Sequence, residues 1–227
     1  MRPVLTWLWM VIAASPAAAQ VPPSPEDLSN YTGLHAAAAT GEVVAIATLI
    51  ASGTNPNARD LMGHTPLHVA VFQRQYAAAR ALLAGRADPN ALERQKYDAV
   101  TIAAVANDVE MLKLVLERGA SARNITSPYD GTALIAAAHL GHVEVVKTLI
   151  AAQAPLDHVN NLGWTALIEA VILGDGGRNH IETVRALTQA GARLDLGGRQ
   201  GTTPLAHAKK RRYSEIAAIM ERAGARR

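Results

Sequence analysis

The sequence repeats itself about every 33 residues, and this period restricts the fold more than any other feature of the chain. Six apolar, alanine-rich segments follow one another at steps of 33, 33, 34, 33 and 38 residues. The residues that open them are Leu34, Leu67, Val100, Leu134, Leu167 and Leu205. Because a unit of this size cannot bury its own apolar face, the period predicts a row of like units, each stabilised by its neighbours.

Local signals inside each period predict two helices followed by a hairpin. A threonine precedes the first helix, and in Thr65-Pro66 and Thr203-Pro204 a proline follows it. This pair suits a helix start, because the hydroxyl caps free N–H groups and the proline ring already holds a helical φ. The second helix carries apolar residues at helical spacing and ends near a glycine, such as Gly53. We therefore predict an all-α fold.

Three segments, "HTPLHVAV", "GHVEVVKTLIAA" and "GRADPNA", resemble the helix start, second helix and hairpin of the ankyrin repeat family. The resemblance extends in six copies from about Ser29 to Ala225. It implies an ankyrin-repeat solenoid of about six helix-turn-helix-hairpin units. The expected repeats are approximately 29–59, 60–92, 93–126, 127–159, 160–197 and 198–225.

In that family, the histidine of the TPLH motif joins the loops of adjacent repeats by hydrogen bonds. The resemblance implies this role for His68 and for His35. We expect no such bond in the other four repeats, where the position is occupied by Thr101, Ile135, Ile168 and Ala206.

Repeat three departs most from the family pattern. Asp98 replaces the capping threonine and Asn107 replaces the glycine between the helices. Both substitutes suit their positions, because aspartate caps helices and asparagine tolerates left-handed backbone. Lys96 replaces a hairpin glycine and is the weakest position, although we expect the fold to survive there.

The first 19 residues have the layout of a secretory signal peptide. Arg2 precedes an apolar run from Val4 to Ala14, and small residues up to Ala19 provide a cleavage site. The alternative, a retained membrane anchor, needs a longer apolar run, of about 20 residues. Residues 20–28 are rich in proline, and we expect a short extended tether there. We predict a bacterial protein that is periplasmic or secreted after cleavage near Ala19.

Composition excludes several classes of chemistry. The chain has no cysteine, which excludes disulfides, thiolate catalysis and cysteine-bound zinc. Without Arg2, 21 basic side chains face 19 acidic ones, a net charge of +2 that does not call for nucleic acid. No combination of residues suggests catalysis, so we predict no catalytic residue, no metal site and no cofactor, and we expect no membrane span.

The 38-residue step contains "LGDGGRNHIETV". It aligns with the segment that starts at Leu140 once Asp175 to Asn179 are removed, which predicts a five-residue insertion in a surface turn. One alternative is an anion held by the glycine amides and Arg178. Another is a metal or acid/base site that uses His180 and Glu182, and a third is an enzyme with its site at the Asp175 to Asn179 loop.

In ankyrin-like stacks, the hairpin tips and the exposed side of the first helices form a concave surface that binds proteins. The resemblance therefore implies a non-enzymatic protein-protein interaction module with an unidentified protein partner. The partner-binding residues that we predict are Met62, His64, Phe72, Gln95, Tyr97, Tyr129, His139, Leu140, Leu162, Trp164, Ile172 and Leu173. For some of them, packing against a neighbouring repeat or against the tether is the alternative.

A basic run closes the chain and favours a second function. Lys209, Lys210, Arg211 and Arg212 could bring an envelope-associated protein to anionic lipid or cell wall. The alternative is a solvated outer face on the last repeat, on which nothing stacks.

Overall fold

The computed structural model describes residues 20–225, and all the regular structure between them is helical except for one isolated bridge between Thr126 and Gly131. The predicted signal peptide, residues 1–19, lies outside the described residues. Thirteen α-helices occur in the described part: α1 Pro25–Asn30, α2 Gly33–Thr40, α3 Val43–Ala51, α4 Pro66–Phe72, α5 Tyr76–Ala84, α6 Ala99–Val105, α7 Val109–Glu117, α8 Ala133–Leu140, α9 Val143–Ala151, α10 Ala166–Ile172, α11 Arg178–Gln189, α12 Pro204–Lys210 and α13 Ser214–Arg222.

The helices form six consecutive pairs, from α2 and α3 to α12 and α13, which confirms the predicted stack. First helices pack against first helices and second helices against second helices. Alanines such as Ala70, Ala103 and Ala137 are fully buried in the first layer, where they permit close approach. Leucines such as Leu112 and Leu149 fill the second layer, and one continuous core cluster extends from Leu34 to Met220.

Local capping explains where the first helices begin. The carboxylate of Asp98 accepts a hydrogen bond from the backbone N–H of Thr101 at 2.8 Å, so the predicted cap is confirmed. Thr65, Thr132, Thr165 and Thr203 cap their helices in the same way. Thr32 is an exception and makes no side-chain cap bond.

The substitutions in repeat three are accommodated as predicted. Asn107 adopts the left-handed backbone with φ 53°. Lys96 has φ 65°, close to the 81° and 85° of Gly63 and Gly163 at the equivalent hairpin positions. A left-handed lysine is strained by roughly 1 kcal/mol or more, so the repeat keeps its shape against a local penalty.

The inter-repeat bonds expected for the two histidines are confirmed. His68 donates from Nε2 to the carbonyl oxygen of Ala91 at 3.0 Å, and His35 donates to that of His64 at 3.0 Å. The expectation of no such bond in repeat three is wrong, because the hydroxyls of Thr101 and Thr126 lie 3.0 Å apart. A threonine is too short to reach a distant carbonyl, but here the next loop supplies a second hydroxyl.

The tether contains a helix that we did not expect. Helix α1 starts after Ser24, whose hydroxyl accepts from the backbone N–H of Asp27 at 3.1 Å. The Asp27 carboxylate accepts in return from the backbone N–H of Ser24 at 2.8 Å, which completes a capping box. The extended conformation predicted for residues 20–28 is therefore wrong from Pro25 onward. None of the helices between residues 20 and 225 is long and apolar enough to cross a membrane.

Candidate partner-binding face

The hairpin tips are held by one recurring arrangement. A polar side chain at the base of the hairpin accepts two backbone N–H groups of the tip: Asp60 Oδ1 lies 2.8 Å from the nitrogen of Met62 and 2.7 Å from that of His64. Glu93 and Asn160 make the same pair of bonds at 2.8 and 3.0 Å, to Gln95 and Tyr97 and to Leu162 and Trp164. Each tip is thus fixed by its own sequence.

Neighbouring tips are also bonded to each other. The backbone N–H of Arg94 donates to Met62 O at 3.0 Å, and that of Asn161 donates to Tyr129 O at 2.9 Å. Between repeats three and four, the backbone N–H of Ser127 donates to Lys96 O at 3.1 Å. The row of tips is therefore a preformed surface, and a partner that binds it does not have to order these backbones.

The twelve predicted residues differ in how accessible they are. Tyr129, Leu162 and Leu173 are exposed, at 43%, 39% and 37% of their surface. The half-buried ones are Met62, Phe72, Gln95, His139, Leu140, Trp164 and Ile172. His64 and Tyr97 are buried, at 1% and 5% exposed, so the expectation that these two face solvent is wrong.

His64 and Tyr97, whose expected exposure is wrong, both occupy the position immediately before the residue that caps the first helix. They are the last residues of their hairpin tips, and the helix caps that directly follow them are Thr65 and Asp98. Tyr97 joins the core, and burial raises the pKa of its phenol to about 12. His64 lies against Phe72 with ring centroids 5.6 Å apart, and its Nδ1 donates to Asp60 Oδ2 at 2.9 Å.

Trp164 has the same position in repeat five but remains half-buried. A side chain at Gly198 would meet the indole at 3.5 Å, so this ring packs against the hairpin of repeat six. Trp164 is therefore not a freely exposed anchor, and a partner could contact only the part of its ring that the repeat-six hairpin leaves uncovered.

Repeats two, four and five carry exposed apolar residues at their tips, with Leu61 of repeat two 88% exposed. Tyr129 and Leu162 stand on consecutive hairpins that are joined by the Asn161 to Tyr129 backbone bond. Ile125 and Val159, which we did not predict, lie in the same two hairpins and are 53% and 49% exposed. The period gives no signal for them, since it aligns Val159 with Thr126 and Ile125 with His158.

A buried carboxylate lies beside this region and was also missed. Glu169 on α10 accepts from Asn160 Nδ2 at 2.8 Å and lies 3.3 Å from His139 Nδ1. The glutamate is 6% exposed, and a buried carboxylate needs such polar partners, which Asn160 and His139 provide. The contact joins repeats four and five.

The start of the described chain covers part of repeats two and three. Val21 O accepts from His64 Nε2 at 3.1 Å, and the Gln20 side-chain amide donates to Thr101 O at 3.1 Å. Pro23 is buried as well. The alternative that predicted residues pack against the tether therefore holds for His64.

The inserted loop is organised around His180. This ring donates from Nε2 to His139 O at 2.9 Å, and His142 makes the corresponding bond to Ala104 O at 3.0 Å. His180 Nδ1 lies 2.7 Å from Asp175 Oδ1. The histidine is thus a contact between repeats, and residues 20–225 contain no group of three His, Cys, Asp or Glu side chains that could hold a metal ion.

The loop also contains a carboxylate of its own, that of Asp175. Asp175 accepts from the backbone N–H of Gly177 at 2.8 Å, and this bond together with His180 lowers the pKa of the Asp175 carboxyl. A phosphate bound to the same loop amides would be repelled by this negatively charged carboxylate. The geometry therefore disfavours the anion-binding alternative for this loop.

The basic run is partly engaged. Lys209 lies 2.6 Å from Glu221, and Arg211 donates to Gly174 O at 3.2 Å while its guanidinium lies 5.1 Å from the centre of the Tyr213 ring. Burial, with further contributions from Lys210 and Arg211, lowers the pKa of His207. All four residues of the run are exposed.

Comparison with known proteins gives a consistent result. A family model described as ankyrin repeats (3 copies) matches residues 16–93 and 100–196. The ankyrin repeat protein YahD of Escherichia coli (strain K12) is 34% identical over 125 residues, which cover 55% of this chain and 62% of YahD. The ankyrin repeat and KH domain-containing protein mask-1 of Caenorhabditis elegans is 33% identical over 124 residues, 54% of this chain and 5% of that protein. The chain thus spans less than two thirds of either curated relative.

Solved structures show the same similarity. An ankyrin repeat domain from Acinetobacter baumannii AYE superposes with a TM-score of 0.81 at 42% identity, and the match covers 85% of this chain and 98% of that one. The ankyrin repeat domain of human ASB11 gives a TM-score of 0.70 at 27% identity, with 86% and 85% covered.

Proposed function

The chain belongs to the ankyrin repeat family, whose repeats indicate a protein-protein interaction module, and from this premise we propose a specific use of the face described above. A protein partner binds across the hairpin tips of repeats four and five, with Tyr129 and Leu162 as its apolar anchors. The protein is not an enzyme and acts in the bacterial periplasm. Support for that location comes from the layout of residues 1–19.

One observation carries the proposed surface. Tyr129 and Leu162 are large apolar side chains exposed on adjacent tips whose backbones are already bonded to each other. An aromatic anchor on a rigid backbone binds at low entropic cost. Ile125 and Val159 extend the apolar area on the same hairpins.

Site-specific photocrosslinking in the periplasm tests the surface. A photoreactive residue in place of Tyr129 should form a discrete adduct with a partner. The same residue in place of Val44, which is 81% exposed on α3 in the layer of second helices, should not. Equal adducts from both positions would reject the proposed face.

Alanine substitution then measures the anchors. Tyr129→Ala combined with Leu162→Ala should weaken capture of that partner at least tenfold, about 1.4 kcal/mol, while far-UV circular dichroism stays unchanged. Val44→Ala is the matched control, since it also shortens an exposed apolar side chain. Undiminished capture by the double variant would contradict the assignment.

A second candidate is favoured by the exposure of Lys210 and Arg212 at the C-terminal end of the stack. These cations would attract anionic lipid or cell wall, and the attraction should weaken as salt screens it. Sedimentation with anionic vesicles, with Lys210→Ser combined with Arg212→Ser as the comparison, tests this function. If neither added salt nor the double substitution reduces the amount of protein that sediments with the vesicles, this second function is rejected.

A further inference from the structure

Residues 20–24 cross the stack without regular secondary structure and touch two repeats. The Gln20 amide reaches Thr101 O on α6, and Val21 O reaches His64 just before α4. Gln20 and Pro23 are buried, whereas Val21 and Pro22 are exposed. The segment therefore contacts the stack through Gln20, Pro23 and the Val21 carbonyl and keeps its other side chains in solvent, as a bound peptide does.

His64 forms a prepared site for a main-chain carbonyl. The ring is buried and is oriented by Asp60, which accepts from its Nδ1 at 2.9 Å and from the hydroxyl of Tyr31 at 2.6 Å. Nε2 lies 3.1 Å from Val21 O, so the ring faces an acceptor at each nitrogen, and it donates to both only when each nitrogen carries a proton. Without that carbonyl, a buried ring nitrogen would lack its hydrogen-bond partner.

The composition of the segment suits docking in an extended form. Pro22, Pro23 and Pro25 restrict φ and favour extended backbone in the residues before them. Less chain entropy is lost when such a segment binds than when a flexible one does. The segment makes only two hydrogen bonds to the repeats, at Gln20 and Val21, so a competing segment could replace it.

We propose that repeats two and three form a binding groove for an extended polypeptide segment, and that residues 20–24 of the same chain are its resident occupant. A competing ligand presents the same chemistry: a main-chain carbonyl opposite His64 Nε2, and a side-chain amide such as that of glutamine opposite Thr101 O. This groove is separate from the tips of repeats four and five, so its failure would leave the proposed function standing.

The first test asks whether the segment is docked. The chain has no cysteine, so Val21→Cys in the full chain gives a unique site for a nitroxide label. The spectrum should show an immobilised label, and Pro23→Glu should mobilise it because a carboxylate cannot occupy the buried position of Pro23. A label on Ala223→Cys, at the far end of the stack, should be unaffected. A label at position 21 as mobile as in a free peptide would overturn the inference, whether or not the Pro23→Glu variant folds.

The second test asks whether the groove takes a peptide. A fluorescent peptide of sequence QVPPSPEDLSN should bind the Pro23→Glu chain at least tenfold more tightly than the wild-type chain, whose groove is filled. Replacing glutamine by alanine in the peptide should reduce binding several-fold. Equal binding to both chains would overturn the proposal. A dimer of the wild-type chain held together by exchanged N-terminal segments, detected by light scattering, would do the same, because the occupant would then be a second copy.

Discussion

Acidification from pH 7 to pH 5 should destabilise this protein by about 2 kcal/mol through one buried histidine, His68. The ring is 1% exposed, and its Nδ1 accepts from the backbone N–H of Thr65 at 3.0 Å. A protonated ring could not accept that bond. Burial, followed by the charge of nearby His64, lowers the pKa of His68 from 6.5 to about 4.

The sign and size follow from this difference. Between pH 6.5 and pH 4 the unfolded chain binds a proton at His68 that the folded chain does not, so stability present above pH 6.5 is lost as the pH falls toward 4. The full loss corresponds to about 3.4 kcal/mol, and about 2 kcal/mol of it is reached at pH 5.

Urea unfolding at pH 7 and pH 5, at constant ionic strength, measures the effect. His68→Gln should be less stable than the wild type at pH 7 but should lose about 2 kcal/mol less between the two pH values. His35→Gln serves as the control, because His35 makes the equivalent inter-repeat bond from a half-buried ring. If wild type and His68→Gln lose the same free energy on acidification, His68 is not the titrating group and the reasoning fails.

Two further predictions concern repeat three. Lys96→Gly should stabilise the protein by about 0.5–1 kcal/mol, a rise in melting temperature of roughly 1–4 °C, because glycine adopts the left-handed backbone without strain; no rise would show that the lysine is unstrained. Asp98→Ala should cost about 2–3 kcal/mol in chemical denaturation, because it removes a buried cap and the partner of Asn124, 2.8 Å away. Thr132→Ala, which removes a cap alone, should cost about 1 kcal/mol, and equal losses in the two variants would contradict the role given to Asn124.

Much of the fold was predictable because its determinants are local or repeated. Asp98 caps a helix through an atom three residues away, and Asn107 takes its backbone conformation with little help from neighbours. The period shows that such local units recur, and a unit that cannot bury its own apolar face must stack on the next. The same alignment identified the insertion at Asp175 to Asn179, although it predicted a turn for all five residues and the structure has Arg178 and Asn179 in the first turn of α11.

The candidate site was less predictable, because exposure depends on what lies on top of a residue. The repeat pattern aligns Tyr97 with His64 and Trp164, but only the packed neighbours decide that Tyr97 and His64 are buried while Trp164 stays half-buried. Thr101 shows the same limit, since its link across the repeats depends on a hydroxyl from Thr126, 25 residues later.

The sequence by itself determined the repeating unit, its caps and the all-α stack. The tertiary structure alone decided which part of the concave face is open. His64 is covered by Val21, 43 residues before it, and the carbonyl of Thr101 is covered by Gln20, 81 residues before it. No periodic pattern specifies contacts between a non-repeating segment and the stack, because their energy arises only when the completed groove and the extended segment meet.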